Sequence, residues 1–291
     1  EMCDSDWSSD VCSSDLSTAP DCFADLHMHS QCSDGTHAPD TLMETMAAHG
    51  VRVVALTDHD TTAGWTAACE AAAAHGLQIL PGVELSVTVD EDEVHLLGYG
   101  FDPDDAALHQ HLQRFMEARE DRVRAMVERL QANDIAITLD DVHAEADGAQ
   151  ALGRPHVAAA LKARGAVPTI NDAFRRYIGN GEVAFVPKPP APAHEVIALL
   201  HGANGIGVLA HPGHWTTAER IRRLVDAGLD GIEVVHPVHE PYLQAYYADV
   251  AERYGLLQTG GSDFHGRGDA DRVGRFGLRR AAWERLRNAL T

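Results

Sequence analysis

The chain has 291 residues, 45% of them hydrophobic and 25 of them glycine, enough to bury a sizeable core as one large α/β domain or two smaller ones. No run of roughly 18 apolar residues occurs, which excludes a transmembrane helix, and a net charge of −21 argues against a broad basic surface for stable binding of duplex nucleic acid. Only two lysines are present, Lys162 and Lys188, so arginine is the main cation for gripping a small anion bidentately.

Residues 1–21 are rich in Ser and Asp and lack a charged start followed by an apolar stretch, so they are not a signal peptide. They read as a disordered leader or a cloning or gene-prediction artefact, set outside the fold. Cys3, Cys12 and Cys22 lie in or beside this leader, and Cys32 and Cys69 lack CxxC spacing, so neither a disulfide framework nor a cysteine metal site is implied. A reducing cytoplasm is the expected location. The folded chain opens with a short strand over 22–29 and a helix over 38–49 that turns Leu42, Met43 and Met46 inward and stops at Gly50. The β-branched run 51–57 predicts a strand buried on both faces, leading into Asp58-His59-Asp60. An Ala-rich helix over 63–74, a strand over 77–80, the segment 82–86 and a strand over 94–99 follow. This alternation predicts βα units in a parallel sheet or barrel.

From 102 to 188 the pattern changes. Leu108, Leu112, Phe115, Val123, Met126, Val127 and Leu130 recur at helical spacing, which predicts an inserted helical subdomain closed by the proline-rich Val186-Pro187-Lys188-Pro189-Pro190. The α/β rhythm then resumes: helices over 194–201, 218–227 and 242–254 alternate with strands over 207–210, 231–235 and 256–259, giving about seven strands in all. The main body is therefore expected over 22–101 and 189–291.

The C-terminal ends of the predicted strands carry His27, His29, His59, Glu84, His95, His211, Asp263 and His265, with Asp34 in the first loop. In βα folds parallel strands deliver these ends to one rim. His27 and His29, spaced i and i+2 on a strand, can converge on one cation, and Asp263 and His265 repeat that spacing. Six imidazoles and three carboxylates exceed what one cation takes, so two or three divalent ions are expected. Three ions would leave about +3 on the cluster, suited to a phosphate and a metal-bridging hydroxide. Glu84 is the natural bridge, having two oxygens to share, and Gly260 and Gly261 would allow close backbone approach.

The motifs HMH, TDHD, GVELS, HLLGYG, AHPG and GSDFH, in that order over the chain after the leader, resemble those of the PHP (polymerase and histidinol phosphatase) family. GRPH and AFRRYIGNGEVAFVPK resemble its TrpH-like branch. The resemblance implies a metal-dependent phosphoesterase with a distorted (β/α)7 barrel and three Mn ions, with Fe or Zn as alternatives. It also implies that His27, His29, Glu84 and Asp263 hold the first ion, that Glu84, His95 and His211 hold the second, and that Asp34, His59 and His265 hold the third. Catalysis would depend on Glu84 and Asp263. The implied activity is release of the 3'-phosphate of nucleoside 3',5'-bisphosphates, or alternatively 5'-to-3' trimming of short RNA. Histidinol phosphate hydrolysis is disfavoured by the helical insertion, and a noncatalytic metal-binding module by the complete ligand set. The expected partner is thus a small nucleotide phosphate ester or short oligonucleotide.

Arg154, followed by Lys188, is the candidate substrate clamp; both match cationic positions of the branch, and the alternatives are a helix-end cap and a surface lysine. His214 and His236 follow ligand-bearing strand ends and are candidates to protonate the leaving oxygen. Asp58 either orients a ligating imidazole or caps a helix. His156 and His239 stay open between structural and site roles.

Overall fold

The computed structural model describes residues 22–90, 92–146, 149, 151–188 and 190–290; the expected leader and Pro189 of the expected linker lie outside them. The first third alternates as anticipated: β1 (Ala24–Asp25), α1 (Pro39–Ala48), β2 (Val53–Val54), α2 (Trp65–His75) and β3 (Gln78–Ile79). These strands pair in parallel in the order β1-β2-β3. The run 51–57 is buried along both faces except at Arg52, yet only two of its residues form a ladder.

A second sheet joins β4 (Gly82–Val89), β5 (Asp92–Tyr99), β6 (Ile206–Leu209), β7 (Gly231–Val235) and β8 (Leu257–Gly260) in sequence order. Here the expectation of parallel strands fails at β5, which runs antiparallel to both β4 and β6. The reason is chain length: a parallel crossover needs about a dozen residues, whereas β5 begins three positions after Val89, and Asp90 reverses the chain with φ 53°. Eight strands form among the described residues, and neither sheet closes on itself as a continuous seven-stranded barrel would. Single bridges, Met28 to Phe264 and His59 to Glu84, connect the two sheets. Regular pairing stops there because the residues at the strand ends leave extended geometry: Asp60, His211 and Asp263 take φ of 54°, 26° and 50°.

Both sheets contribute to one apolar cluster. Ala24, Leu26 and Val53 meet Leu97, Tyr99 and Val208 there, covered by Trp283 and Leu286. The last two belong to α10 (Arg280–Ala289), a helix the sequence reading missed because it has only two inward positions, separated by Glu284 and Arg285. A larger cluster packs β4 to β7 against α7 (Ala193–Gly202), α8 (Ala218–Asp226) and α9 (Pro241–Tyr254).

Between β5 and α7 the chain is helical: α3 (Ala106–Ala132), α4 (Leu139–Ala146), α5 (Arg154–Ala163), α6 (Ile170–Ala173) and a π-helical turn at Phe174–Ile178. Asp105 caps α3 by accepting from the Leu108 N–H. This helix serves two cores. Leu108, Leu112 and Phe115 pack with the second sheet, and Val123, Met126, Val127 and Leu130 pack with α4 and α5. No helix among the described residues is long and apolar enough to cross a membrane.

Candidate metal centre

The site grows from the two oxygens of Glu84, a buried residue near the start of β4. Oε2 faces His59 Nδ1 at 3.1 Å, His29 Nε2 at 3.2 Å and His27 Nε2 at 3.4 Å. Oε1 faces His95 Nδ1 at 2.7 Å and His211 Nε2 at 2.9 Å. Asp263 Oδ1 lies 3.3 Å from His29 Nε2 and 3.5 Å from His27 Nε2. On the far side, His265 Nε2 is 3.3 Å from Asp34 Oδ1.

Donor atoms within 4.8 Å of one another form four groups: His29, Asp34, His59 and His265; His27, Glu84 and His211; His27, His236 and Asp263; and His59, Glu84 and His95. All nine expected ligands are brought together, and His236 joins them. His29 lies between two groups, close both to Asp263 and to the Asp34 side.

Several partners turn the imidazoles. His27 donates Nδ1–H to Glu233 Oε1 at 3.0 Å, His95 donates Nε2–H to Glu93 Oε1 at 3.3 Å, and His265 donates Nδ1–H to the Asp263 carbonyl at 2.9 Å. Each bond selects the tautomer that leaves the other nitrogen's lone pair aimed into the cluster. The fit to cations shows in the inward atoms. Both His29 nitrogens, His59 Nδ1 and Asp34 Oδ1 are buried without a hydrogen-bond partner, a costly arrangement that divalent cations relieve. His236 Nε2 is likewise buried without a hydrogen-bond partner, 3.4 Å from Asp263 Oδ2, but its Nδ1 accepts from the Val238 N–H at 3.1 Å, so the neutral ring carries its proton on Nε2. That tautomer holds a proton and has no lone pair for an ion on this side.

Electrostatics pair the two kinds of group. Burial works against the charge on Glu84, but His59, His95 and His27 hold its carboxyl well below the carboxylate range. Burial likewise opposes the proton on His95, while Glu84 and Glu93 raise its pKa to about 9. The same carboxylates that hold a proton on His95 would favour a cation there, so metal loading would release protons.

The backbone is shaped for this crowding. A Cβ on Gly261 would fall 2.3 Å from His27 Cβ, so only glycine lets the last strand pass the first. The Asp263 N–H then donates to the His27 carbonyl at 2.8 Å, joining the two i, i+2 motifs. Among the described residues Asp58 accepts from Ser30 N–H and Oγ and from Ser33 Oγ, fixing the loop that carries Asp34, rather than capping α2 or hydrogen-bonding an imidazole.

The other candidates separate. Arg154 lines a cavity of about 210 Å³ with His95, His211, Glu93, Asn180 and Trp215. Its Nη1 donates to Asn180 Oδ1 at 2.9 Å, and its guanidinium lies 5.7 Å and 5.8 Å from the Phe174 and Phe185 ring centres. Lys188 is turned inward, donating to Ser86 Oγ and Glu93 Oε1, each at 2.7 Å. His214 is exposed, and both its ring nitrogens lie near the Tyr242 hydroxyl, at 3.1 and 3.0 Å. His156 and His239 are structural: the first accepts from Gly153 N–H, and the second bridges Gly213 N–H and the Val234 carbonyl.

Sequence reasoning missed Glu233, Glu93 and Arg119. The signal for Glu233 was a lone acid inside the apolar strand Gly231–Val235, a position that demands a partner. Arg119, 5% exposed on α3, donates Nε–H to Asp60 Oδ2 at 2.7 Å and Nη1–H to the Leu152 carbonyl at 3.2 Å. Burial works against the charge on Asp60, but Arg119 and Lys188 lower its pKa to about 2.

The PHP domain pattern matches residues 25–123. A 3',5'-nucleoside bisphosphate phosphatase from Chromobacterium violaceum is 36% identical over 253 residues, covering 85% of this chain and 89% of that protein. The 5'-3' exoribonuclease Rnm of Salmonella typhimurium is 34% identical over 248 residues, covering 83% and 84%. A solved metal-dependent phosphoesterase from Bifidobacterium adolescentis superposes with a TM-score of 0.82 at 37% identity, covering 90% of this chain and 94% of that one. With the ligand-rich strand ends and this coverage, the chain belongs to the PHP family and is a metal-dependent phosphoesterase.

Proposed function

We propose that the enzyme hydrolyses the 3'-phosphate of nucleoside 3',5'-bisphosphates, giving nucleoside 5'-monophosphate and phosphate, with three divalent ions, Mn before Fe or Zn. The observation that carries this reading is the set of five imidazoles around the oxygens of buried Glu84, two of which, His95 and His211, also line the cavity that holds Arg154. The likeness to the Chromobacterium phosphatase supports the substrate. Bound divalent ions supply Lewis acidity, offsetting phosphate charge and acidifying a water.

The chain's own groups do the rest. Glu84 and Asp263 place negative charge between the imidazoles and keep the donor atoms converged. Glu233 and Glu93 fix ring orientation, and Lys188 holds Glu93, so its role in this reading is to support His95 rather than to grip substrate. Arg154, preset by Asn180 and two phenyl rings, donates to a substrate phosphate. His236, with its Nε2–H beside Asp263, is favoured over exposed His214 as the group that donates a hydrogen bond to the leaving oxygen. The two bridges between the sheets support a distorted barrel, and the cluster of α4, α5 and the C-terminal part of α3 supports an inserted helical subdomain within 102–188. The three free thiols among the described residues, Cys22, Cys32 and Cys69, suit the proposed cytoplasmic setting.

A second cavity of about 510 Å³, lined by Asp34, His265, Arg267, Asp269, Asp271 and Arg272 on the other flank of the cluster, favours as a second reading the 5'-to-3' removal of nucleotides from short RNA. Rates of the Mn-loaded protein on adenosine 3',5'-bisphosphate and on a 5'-phosphorylated oligonucleotide decide between them. Faster turnover of the bisphosphate is expected, and a much faster oligonucleotide rate reverses the ranking.

A further inference from the structure

We propose that Trp215 is the platform on which the substrate's base stacks, which rests on the reading of the substrate as a nucleotide. Trp215 follows the ligand-bearing turn His211-Pro212-Gly213 and lines the same cavity as His95, His211 and Arg154. Its side chain is the most exposed large hydrophobic group among the described residues, at 60%, although it stands beside a buried polar centre. An exposed indole at that place has no role in the core.

The indole is nevertheless held. Gly213, at φ 54°, lies against the Cε2–Cζ2–Cη2 edge of the indole: a Cβ added there would fall 2.4 Å from Cη2 and Cζ2. The glycine is itself fixed, its N–H donating to His239 Nε2 at 3.0 Å and its carbonyl accepting from the Tyr247 hydroxyl at 2.5 Å. Thr216, next in the chain, is tied back through its N–H to the Pro212 carbonyl at 3.2 Å. The ring is therefore held against a fixed turn while it stays largely exposed and lines the cavity. Arg154 and Asn180 line the same cavity, supplying donors for phosphate and sugar. A flat apolar surface next to a phosphate-binding arginine fits a base attached through a sugar to a phosphate. Stacking tolerates any base, so the platform recognises a nucleotide without reading its identity.

The test uses the Mn-loaded full chain and isothermal titration with adenosine 5'-monophosphate and with ribose 5-phosphate, which lacks the base. The wild type is expected to prefer the nucleotide by about 5- to 150-fold, the range base–aromatic stacking supports. In Trp215→Ala that ratio is expected to fall to near one, and in Trp215→Phe most of it returns. Fluorescence quenching by adenosine 5'-monophosphate, present in the wild type and much reduced in Trp215→Phe, gives a readout independent of turnover. A wild type without preference, or an unchanged ratio in Trp215→Ala, overturns the proposal. The outcome is separable from the proposed reaction: a collapsed ratio in an enzyme that fails to hydrolyse adenosine 3',5'-bisphosphate keeps the platform and removes the reaction, and the reverse result removes the platform alone.

Discussion

The metal centre and the cavity beside it are built by opposite rules. In the centre, His27, His29 and Glu84 are buried on strands or strand ends, and Glu233, Glu93 or a backbone carbonyl turns individual rings. In the cavity, Arg154 comes from the helical segment, Asn180 from a turn after it and Trp215 from a loop, all at least partly exposed. Rigid burial suits chemistry that needs fixed charges, while loops and peripheral helices can vary without disturbing it. The two regions meet at Glu93, His95 and His211, which line the cavity, and the helical segment and the stretch after it brace the centre through Arg119 on Asp60 and Lys188 on Glu93.

Substitutions in the two regions should therefore fail differently. Glu84→Ala removes the carboxylate shared by five imidazoles and should lower kcat/KM by about 10³-fold or more, since metal Lewis acidity is worth several kcal/mol. Metal content measured alongside should fall, and undiminished turnover with Mn would remove the metal mechanism altogether. Arg119→Ala leaves Asp60 charged and buried without its partner. Breaking such a pair costs about 3–5 kcal/mol, to be read from denaturant unfolding, and a loss below about 1 kcal/mol would show the helix to be only loosely attached to the centre.

Smaller effects sharpen the contrast. Glu233→Gln keeps the shape but loses the charged acceptor of the His27 N–H, so metal affinity should drop about 10- to 100-fold with the substrate KM little changed. Arg154→Ala should do the converse, raising KM by about 10-fold or somewhat more while metal content stays at the wild-type level. Metal loss in Arg154→Ala would show that the cavity and the centre are not independent.

Much of the centre was legible in the residues because ligands are chemically specific and strand ends share a rim. His27, His59, Glu84, His211 and Asp263 each stand at or just beyond an apolar run, and local pattern alone places such positions at one end of a sheet. The supporting groups were not legible. Glu233 has no motif of its own, and its partner His27 lies 206 positions away, a pairing that only folding creates. Arg119 reads as one charge among many on a long amphipathic helix, and its burial against Asp60 depends on where that helix lands.

By itself, then, the sequence determined the α/β alternation, the helical segment and the residue types at the strand ends, because periodicity and side-chain chemistry are local. Tertiary structure decided which strands run antiparallel, where the ladders stop, which nitrogen of each imidazole faces inward, and that Lys188 turns toward Glu93 while Trp215 stays in the open. Those outcomes depend on packing and on charges meeting across long chain separations, and no local pattern encodes them.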